Sequence, residues 1–593
     1  MSNNKGVGVK GSDVYTTTGD PRLDLSVSLV RGATNVGDSL EKVLDMNTAE
    51  SLEDAFVMAF HTRNVRGGKG ERALFHDMLK TLWVHKQDVA SAVLKLVPEY
   101  GTWKDLFELA APSCNGPEEF RRLVIDLATT QLRADSEVEE GKSISLCAKW
   151  APREDKNGDL AVLLAARMFP QISSYPGRLR AYRKLVAGLN KRLTTVETLM
   201  CGGRWSDIKP ATVPGRAGKV YAKAFLNEGK NGVLRHPDDE GRMACRDHFQ
   251  EHFARAARGE ATVKGADTLF PHEVVKRAYM GRSSLGEDER NQLTAVWRSM
   301  IEKSRAGGGL GRSIFMSDFS GSMQNSGVNG DTPYWVSMAL GILGSQACSD
   351  AFRGRMMTFD STPTWHQFPA DGNLFACLNT ISGSIGQGLS TDFQAAMDLI
   401  LGELKAKRVR PEDVPENLVV LTDMGWDQAC GSSGQGHYTG NSYRNVVKTG
   451  GWQTHIEMIR EAFKRAGEDM WGPGCGFVPP RIVIWNLASS GATLSNGHHG
   501  DRNLASSSTG HHATAETPGV AMLSGWSPSL FKVLQTEGPR TLTAYEMLRV
   551  ELDQAQYDRV RSSVRVAIRH AIEDQTQCAD NYPNHANGWG SVE

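Results

Sequence analysis

The 593-residue chain lacks any run near the ~18 uninterrupted apolar residues that a membrane-spanning helix needs, so no membrane partner is expected. Its first twenty residues are polar and rich in Gly and Thr, without the apolar centre of a signal peptide. The nine cysteines, at positions 114, 147, 201, 245, 348, 377, 430, 475 and 578, form no C-x-x-C pair and are odd in number. That pattern argues against a disulfide framework or a zinc knuckle and suits reduced thiols in a cytosol. Absent too are a Gly-x-Ser-x-Gly elbow, a P-loop, a Gly-x-Gly-x-x-Gly after a strand and a His-Glu-x-x-His helix, so the expectation is a non-enzyme. Nor is there an excess of one charge: 67 Lys and Arg face 68 Asp and Glu, a balance unlike that of a protein that coats nucleic acid non-specifically.

Charge is uneven along the chain, however. Residues 151–250 hold 18 basic and 10 acidic side chains, a local net of +8 that is either a phosphate-binding surface or a set of solvated helix faces.

Residues 1–35 read as a flexible leader. Residues 36–304 read as a helical domain: segments such as Ser51–His61, with Ser51 as a candidate N-cap and Leu52, Ala55, Phe56 and Ala59 at helical spacing, alternate with short Gly- or Pro-containing links. Many short helices with short links predict an α-helical repeat (HEAT-like) region of stacked antiparallel pairs, although no clean period is visible. The glycines from Gly307 to Gly311 read as a hinge into a second domain, 305–540. A helical segment, 541–575, and a polar tail, 576–593, follow.

In 305–540 the pattern changes. Near-continuous apolar runs at 313–317, 354–359, 417–422, 481–486 and 519–524 alternate with helical segments at 333–352, 392–405 and 452–466. This predicts a doubly wound, mostly parallel α/β sheet with helices on both faces and ligands at the carboxyl ends of its strands. Two Gly/Ser-rich insertions, 430–451 and 489–517, interrupt it. The second holds His498-His499 and His511-His512, but adjacent imidazoles point apart and no Cys or acidic partner sits at ligand spacing, which argues against a structured metal site.

The strongest chemical signal is Ser317-Asp318-Phe319-Ser320-Gly321-Ser322-Met323, directly after the first apolar run. Asp318, Ser320 and Ser322 alternate along a tight turn, and short oxygen side chains of this kind supply part of the shell of a hard cation. Gly388-Leu389-Ser390-Thr391-Asp392 and Thr422-Asp423 fall where strand-end loops converge on it. The alternative is that Asp318 and Asp423 cap helices while Ser320 and Ser322 satisfy turn backbones. The arrangement resembles the von Willebrand factor A (vWA) domain with its metal-ion-dependent adhesion site (MIDAS). The resemblance implies direct ligation by Ser320, Ser322 and Thr391, with Asp318 and Asp423 bonded through metal-bound waters and one position left for a carboxylate of a protein partner. Ser390 competes with Thr391 for its role, and Asp427 with Asp423. Hard oxygen ligands with few carboxylates favour Mg²⁺ among divalent ions.

A helical-repeat region followed by a MIDAS-type vWA domain resembles in plan the Ro-type TROVE ribonucleoproteins, and more closely an uncharacterised family of the same plan. The resemblance to that family is carried by 61–72 (HTRNVRGGKGER), 98–106 (PEYGTWKDL), 148–152 (AKWAP), 269–273 (LFPHE), the Asp318 segment, 484–487 (IWNL) and 519–528 (GVAMLSGWSP), and spans about 45–570. The Ro likeness implies single-stranded or small structured RNA as partner. The residues it points to are Arg63, Arg66, Lys69 and Arg72 near the first helices and Arg178, Arg180, Arg183, Lys184, Lys191, Arg192 and Arg204 in the basic stretch. Tyr182 and Trp205 are available as stacking platforms, or as core. The expected protein is a cytoplasmic, non-catalytic RNA-binding scaffold with a metal-dependent docking head. The alternative is a scaffold for proteins only.

Overall fold

The computed structural model describes the chain except residues 1–4, 8–12, 115, 230–231, 307, 325–327, 329, 350–351, 360–362, 383–392, 425–454, 489–510, 512, 536–541 and 582–593. The chain divides into two compact units. The first comprises 1–39, 64–74 and 194–551; the second comprises 40–63, 75–193 and 552–593.

Strands β1 (Lys5–Val7) and β2 (Asp13–Tyr15) form a short antiparallel pair. The first unit is organised around a six-stranded sheet of β3 (Ser313–Asp318), β4 (Arg355–Phe359), β5 (Thr364–Gln367), β6 (Asn417–Thr422), β7 (Arg481–Asn486) and β8 (Val520–Ser524), in the order β5-β4-β3-β6-β7-β8. All neighbours are parallel except β5, which runs antiparallel to β4 on the edge. Every residue of β3, β6, β7 and β8 is buried, as a parallel sheet covered on both faces requires.

The helix Pro333–Gln346 starts with Pro at its first position after Thr332 and lies against β3. Ser317 donates from its hydroxyl to the Ser337 carbonyl at 3.1 Å. Gly341 permits this close approach, because a Cβ there would collide with Ser317 Oγ. The helices Phe393–Ala406 and His455–Trp471 pack against each other, the former also against β4.

The two compact units divide the chain differently from the expected domains. The helix Glu287–Ala306 buries Trp297, Met300 and Ile301 in a core shared with Phe315, Leu343, Trp485 and Trp526 of the α/β region. Helices after residue 194 are therefore grouped with the sheet in one compact unit. Residues 308–311 are a packed link: Leu310 is buried, its N–H donates to the Ala347 carbonyl at 2.9 Å, and the Ser349 N–H donates to Gly311 O at 2.9 Å. Gly308, Gly309 and Gly311 all take positive φ, which explains their residue type.

The leader also departs from expectation. Pro21–Ser28 is a helix capped by Asp20, with Leu23, Leu25 and Val27 buried, and it packs at β8. Asn486, the last residue of β7, donates to Val27 O at 3.0 Å. Apolar residues spaced two apart (23, 25, 27) hid a helix buried on several sides.

The second unit is helical. The helix Ala49–Arg63 begins before the expected cap: the Thr48 hydroxyl accepts from Ser51 N–H at 3.0 Å and the Ser51 hydroxyl accepts from Thr48 N–H at 3.2 Å, a reciprocal cap. Asp558–Asn581 packs on this helix, where Arg561 meets buried Glu53 and Asp54 at 3.5 and 3.2 Å. The 541–575 segment is thus divided at residue 552, its later part belonging to the second unit's core.

Candidate functional site

Parallel pairing sets Ser317 opposite Leu421, so β3 ends at Asp318 beside the end of β6 at Thr422. The chain leaves β3 toward β4 on one side and leaves β6 toward β7 on the other. The carboxyl ends of β3 and β6 therefore flank the point where strand order reverses, the crevice in which open α/β sheets bind ligands.

Asp318 is fully buried there. Its Oδ1 accepts from the Ser320 N–H at 2.8 Å and its Oδ2 from the Thr422 hydroxyl at 3.0 Å. Thr422 Oγ1 in turn accepts from the Met424 N–H at 3.1 Å, a local turn that sharpens the exit from β6. Met424 holds φ at +68°, a left-handed conformation uncommon for a non-glycine residue. Asp423, between these two, is buried.

The Ser320 and Ser322 hydroxyls lie 3.1 Å apart at the turn's crest, Ser320 buried and Ser322 half-buried. Four of the five expected metal residues, Asp318, Ser320, Ser322 and Asp423, thus sit on the two loops that leave adjacent strand ends. Thr391, with its rival Ser390, lies outside the described residues, as do Asp427 and the His498-His499 pair. Sequence reading placed Thr422 in an oxygen cluster at the strand end but did not make it a ligand or a partner of Asp318. Its position as the last residue of the strand paired with β3 is the signal that finds it.

Among the described residues, one other group, His76, Asp105 and Glu108, brings three potential ligand atoms within 4.8 Å of one another. Asp105 is already engaged: Arg63 grips both oxygens at 3.0 and 2.9 Å, and the Thr102 N–H and hydroxyl donate at 2.7 and 2.9 Å. A cation there would have to displace a buried, bidentate guanidinium.

That pairing corrects the expectation for Arg63, which is buried and committed to Asp105. Lys69 is likewise buried, its ammonium donating to Ser26 O at 2.9 Å and to the Ser524 hydroxyl. Burial, opposed by Glu551 and Glu71, lowers its pKa to about 8. Neither side chain presents a charge to a ligand. Three amides of the Arg66–Gly70 loop are used locally: the Arg66 and Gly67 N–H groups both donate to Asn64 Oδ1, at 3.0 and 3.2 Å, and Gly68 N–H to Asn64 O at 3.2 Å. Arg66 itself is exposed and Arg72 half-buried, at the start of the helix Arg72–His85.

The other basic candidates fall mostly on one helix, Tyr175–Leu193, which carries Arg178, Arg180, Arg183, Lys184, Lys191 and Arg192 and no acidic residue. It buries Leu179, Tyr182, Val186 and Leu189. Arg180, Lys184 and Lys191, at i, i+4 and i+11, share the exposed face, with Arg183 beside them and paired to Glu154 at 3.2 Å. Arg178 and Arg192 are half-buried and donate to backbone carbonyls, Arg178 to Ile172 and Arg192 to Asp135 and Glu139. Arg204 pairs with Asp207 at 2.7 Å. Tyr182 and Trp205 are both buried in cores, so neither is a stacking platform.

Residues 312–571 match the model of a domain of unknown function (DUF7788), and residues 118–310 that of another (DUF2828). The chain is 25% identical over 544 residues to the uncharacterized protein L728 of Acanthamoeba polyphaga mimivirus, covering 88% of this chain and 83% of that protein. Among solved structures it is similar to the Deinococcus radiodurans RO (RSR) protein, at 14% identity and a TM-score of 0.41, covering 87% of this chain and 99% of that one. No helix among the described residues is long and apolar enough to cross a membrane.

Proposed function

We propose that the chain is a non-catalytic scaffold whose α/β sheet holds a divalent cation in the β3–β6 crevice, as in a vWA-type MIDAS, and uses it to dock a carboxylate of a protein partner. The observation that carries this reading is the Ser320–Ser322 hydroxyl pair, 3.1 Å apart above an Asp318 fixed by two donors. Two oxygens each ~2.1 Å from an octahedral ion, at right angles, lie about 3.0 Å apart, so the pair fits two adjacent positions of a Mg²⁺ shell. Ser320 and Ser322 would hold the ion directly, and Asp318 and Asp423 would supply the negative charge through its waters. Thr391 completes the set on the vWA resemblance. A bound Mg²⁺ would offer one exchangeable position to an incoming carboxylate. The carboxylates of Asp318 and Asp423 serve the ion in this reading, which leaves no further carboxylate as general base for hydrolysis among the described residues of these two strand ends.

An RNA role is supported separately by the helix Tyr175–Leu193, whose exposed basic stripe of Arg180, Lys184 and Lys191 suits phosphate contacts. Single-stranded or small structured RNA is the partner it fits.

Thermal unfolding in Mg²⁺ against EDTA tests the metal reading. At an ion concentration of about 100 times Kd, binding to the native state alone adds about 2.7 kcal/mol, which raises the melting temperature by several degrees. The rise is expected in the native chain and not in the double variant Ser320→Ala, Ser322→Ala. Equal melting curves for the native chain with and without Mg²⁺ would remove the support for this reading.

A further inference from the structure

At the amino-terminal end of the same sheet, away from the metal crevice, lies a cavity of about 650 Å³. Its walls are apolar: Ile314 near the start of β3, Phe352 before β4, and Ile400 and Leu404 on the helix Phe393–Ala406. This volume lies within the ~300–1,000 Å³ typical of small-molecule sites, and such sites combine apolar walls with a few placed polar groups.

Two polar groups here are of one kind. Arg355 opens β4 and is exposed; among the described residues its guanidinium has no carboxylate partner. The other two cations of the lining are already neutralised, Arg312 by Glu416 at 2.9 Å and Lys407 by Glu403 at 2.8 Å. Trp365 stands opposite Met357 on β5, two residues along from the Arg355–Gln367 pair, so Trp365 and Arg355 share a face of the sheet. The Trp365 indole N–H is buried and finds no acceptor among the described residues. A buried donor without a partner is costly, so it calls for an occupant that accepts. Guanidinium and indole both donate only, so the missing partner is an acceptor, and beside Arg355 an anionic one is favoured. Asp413, also in the lining, is exposed; a carboxylate there repels a second negative charge and limits the ligand to one.

We propose that this cavity binds a small amphipathic monoanion, an aliphatic or aromatic carboxylic acid, with its carboxylate between Arg355 and Trp365 and its apolar body against Ile314, Ile400 and Leu404. The site is separate from the metal crevice, and its test does not depend on the docking or RNA readings.

Octanoate, with 1-octanol as its neutral counterpart, is titrated calorimetrically into the full-length protein. Octanoate is expected to bind at one site per chain, at least tenfold more tightly than octanol. Arg355→Gln removes an exposed side chain and should leave the melting temperature unchanged while bringing octanoate down to the octanol level. Arg355→Lys restores part of the difference. Ile400→Trp, which fills the cavity, should abolish binding of both. Absence of octanoate binding up to millimolar concentration would overturn the proposal, as would equal affinity for acid and alcohol. So would binding that survives both Arg355→Gln and Ile400→Trp, because it would lie elsewhere on the protein.

Discussion

The Thr422 hydroxyl donates to Asp318 Oδ2 across 3.0 Å, tying together the last residues of two neighbouring parallel strands whose outgoing loops diverge. Asp318 has no exposure to solvent, and the Ser320 N–H occupies its other oxygen. A carboxylate held this way is oriented before any ligand arrives, which lowers the cost of ordering the site on binding.

Removing that donor has a predictable cost. Thr422→Val keeps the shape, removes one donor from buried Asp318 and removes the acceptor of the Met424 N–H. Equilibrium denaturation should show a loss of about 1–3 kcal/mol, largely restored in Thr422→Ser. A change below ~0.5 kcal/mol would mean that water replaces the hydroxyl in both hydrogen bonds and that Thr422 does not fix Asp318.

Lys69 predicts a pH dependence. Its pKa in the native protein is lowered to about 8 by burial, against an ordinary value of 10.5. Between pH 8 and 10.5 the unfolded chain therefore binds more protons at this residue than the native chain, and stability contributed by this site rises with pH through that window. Below pH 8 both forms are protonated and the cost of a buried ammonium is fully present, about 3 kcal/mol at one pKa unit per 1.36 kcal/mol. Lys69→Met should abolish this rise. Denaturation curves of both proteins at pH 7.5, 9 and 10 measure it, and parallel pH profiles would contradict the assignment.

Nucleic-acid binding, if carried by the helix Tyr175–Leu193, should depend on its exposed stripe and not on the buried cations. The triple variant Arg180→Glu, Lys184→Glu, Lys191→Glu should lose at least tenfold in affinity for a single-stranded RNA oligonucleotide at low salt. The native chain's affinity should fall steeply as salt rises, since phosphate contacts release counterions. Filter binding or fluorescence anisotropy reads both. Retained affinity in the triple variant would leave the protein-only scaffold as the better account.

How much of this was legible in the sequence depends on where the determining contacts lie. The parallel strands were legible because burial on both faces writes itself as continuous apolar runs: Asn417–Thr422 and Arg481–Asn486 have the expected bounds. The strand β5 was not, because Thr364–Gln367 is a short edge strand with alternating exposure and polar residues. Asp318, Ser320, Ser322 and Asp423 could be placed at the β3–β6 strand ends from sequence because strand-end position and side-chain chemistry are both local. The bond from Thr422 to Asp318 was missed because it is defined by a strand 104 residues away. Arg63 and Lys69 failed for the same reason: nothing in a basic heptad shows that Asp105 or Ser524 will bury it. The division at residue 194 rests on the packing of Trp297 and Met300 under the sheet, a tertiary choice that helical periodicity does not encode.

The central claim is a divalent cation at the β3–β6 crevice, and manganese titration followed by electron paramagnetic resonance tests it most directly. The free-ion signal should stay suppressed until one Mn²⁺ has been added per native chain and rise only beyond that point, Mg²⁺ should restore it by competition, and Asp318→Asn, which keeps the shape but removes the charge, should weaken binding at least tenfold. A free-ion signal that rises linearly with added Mn²⁺ in the native chain, or binding equal in the native and Asp318→Asn proteins, would contradict the account.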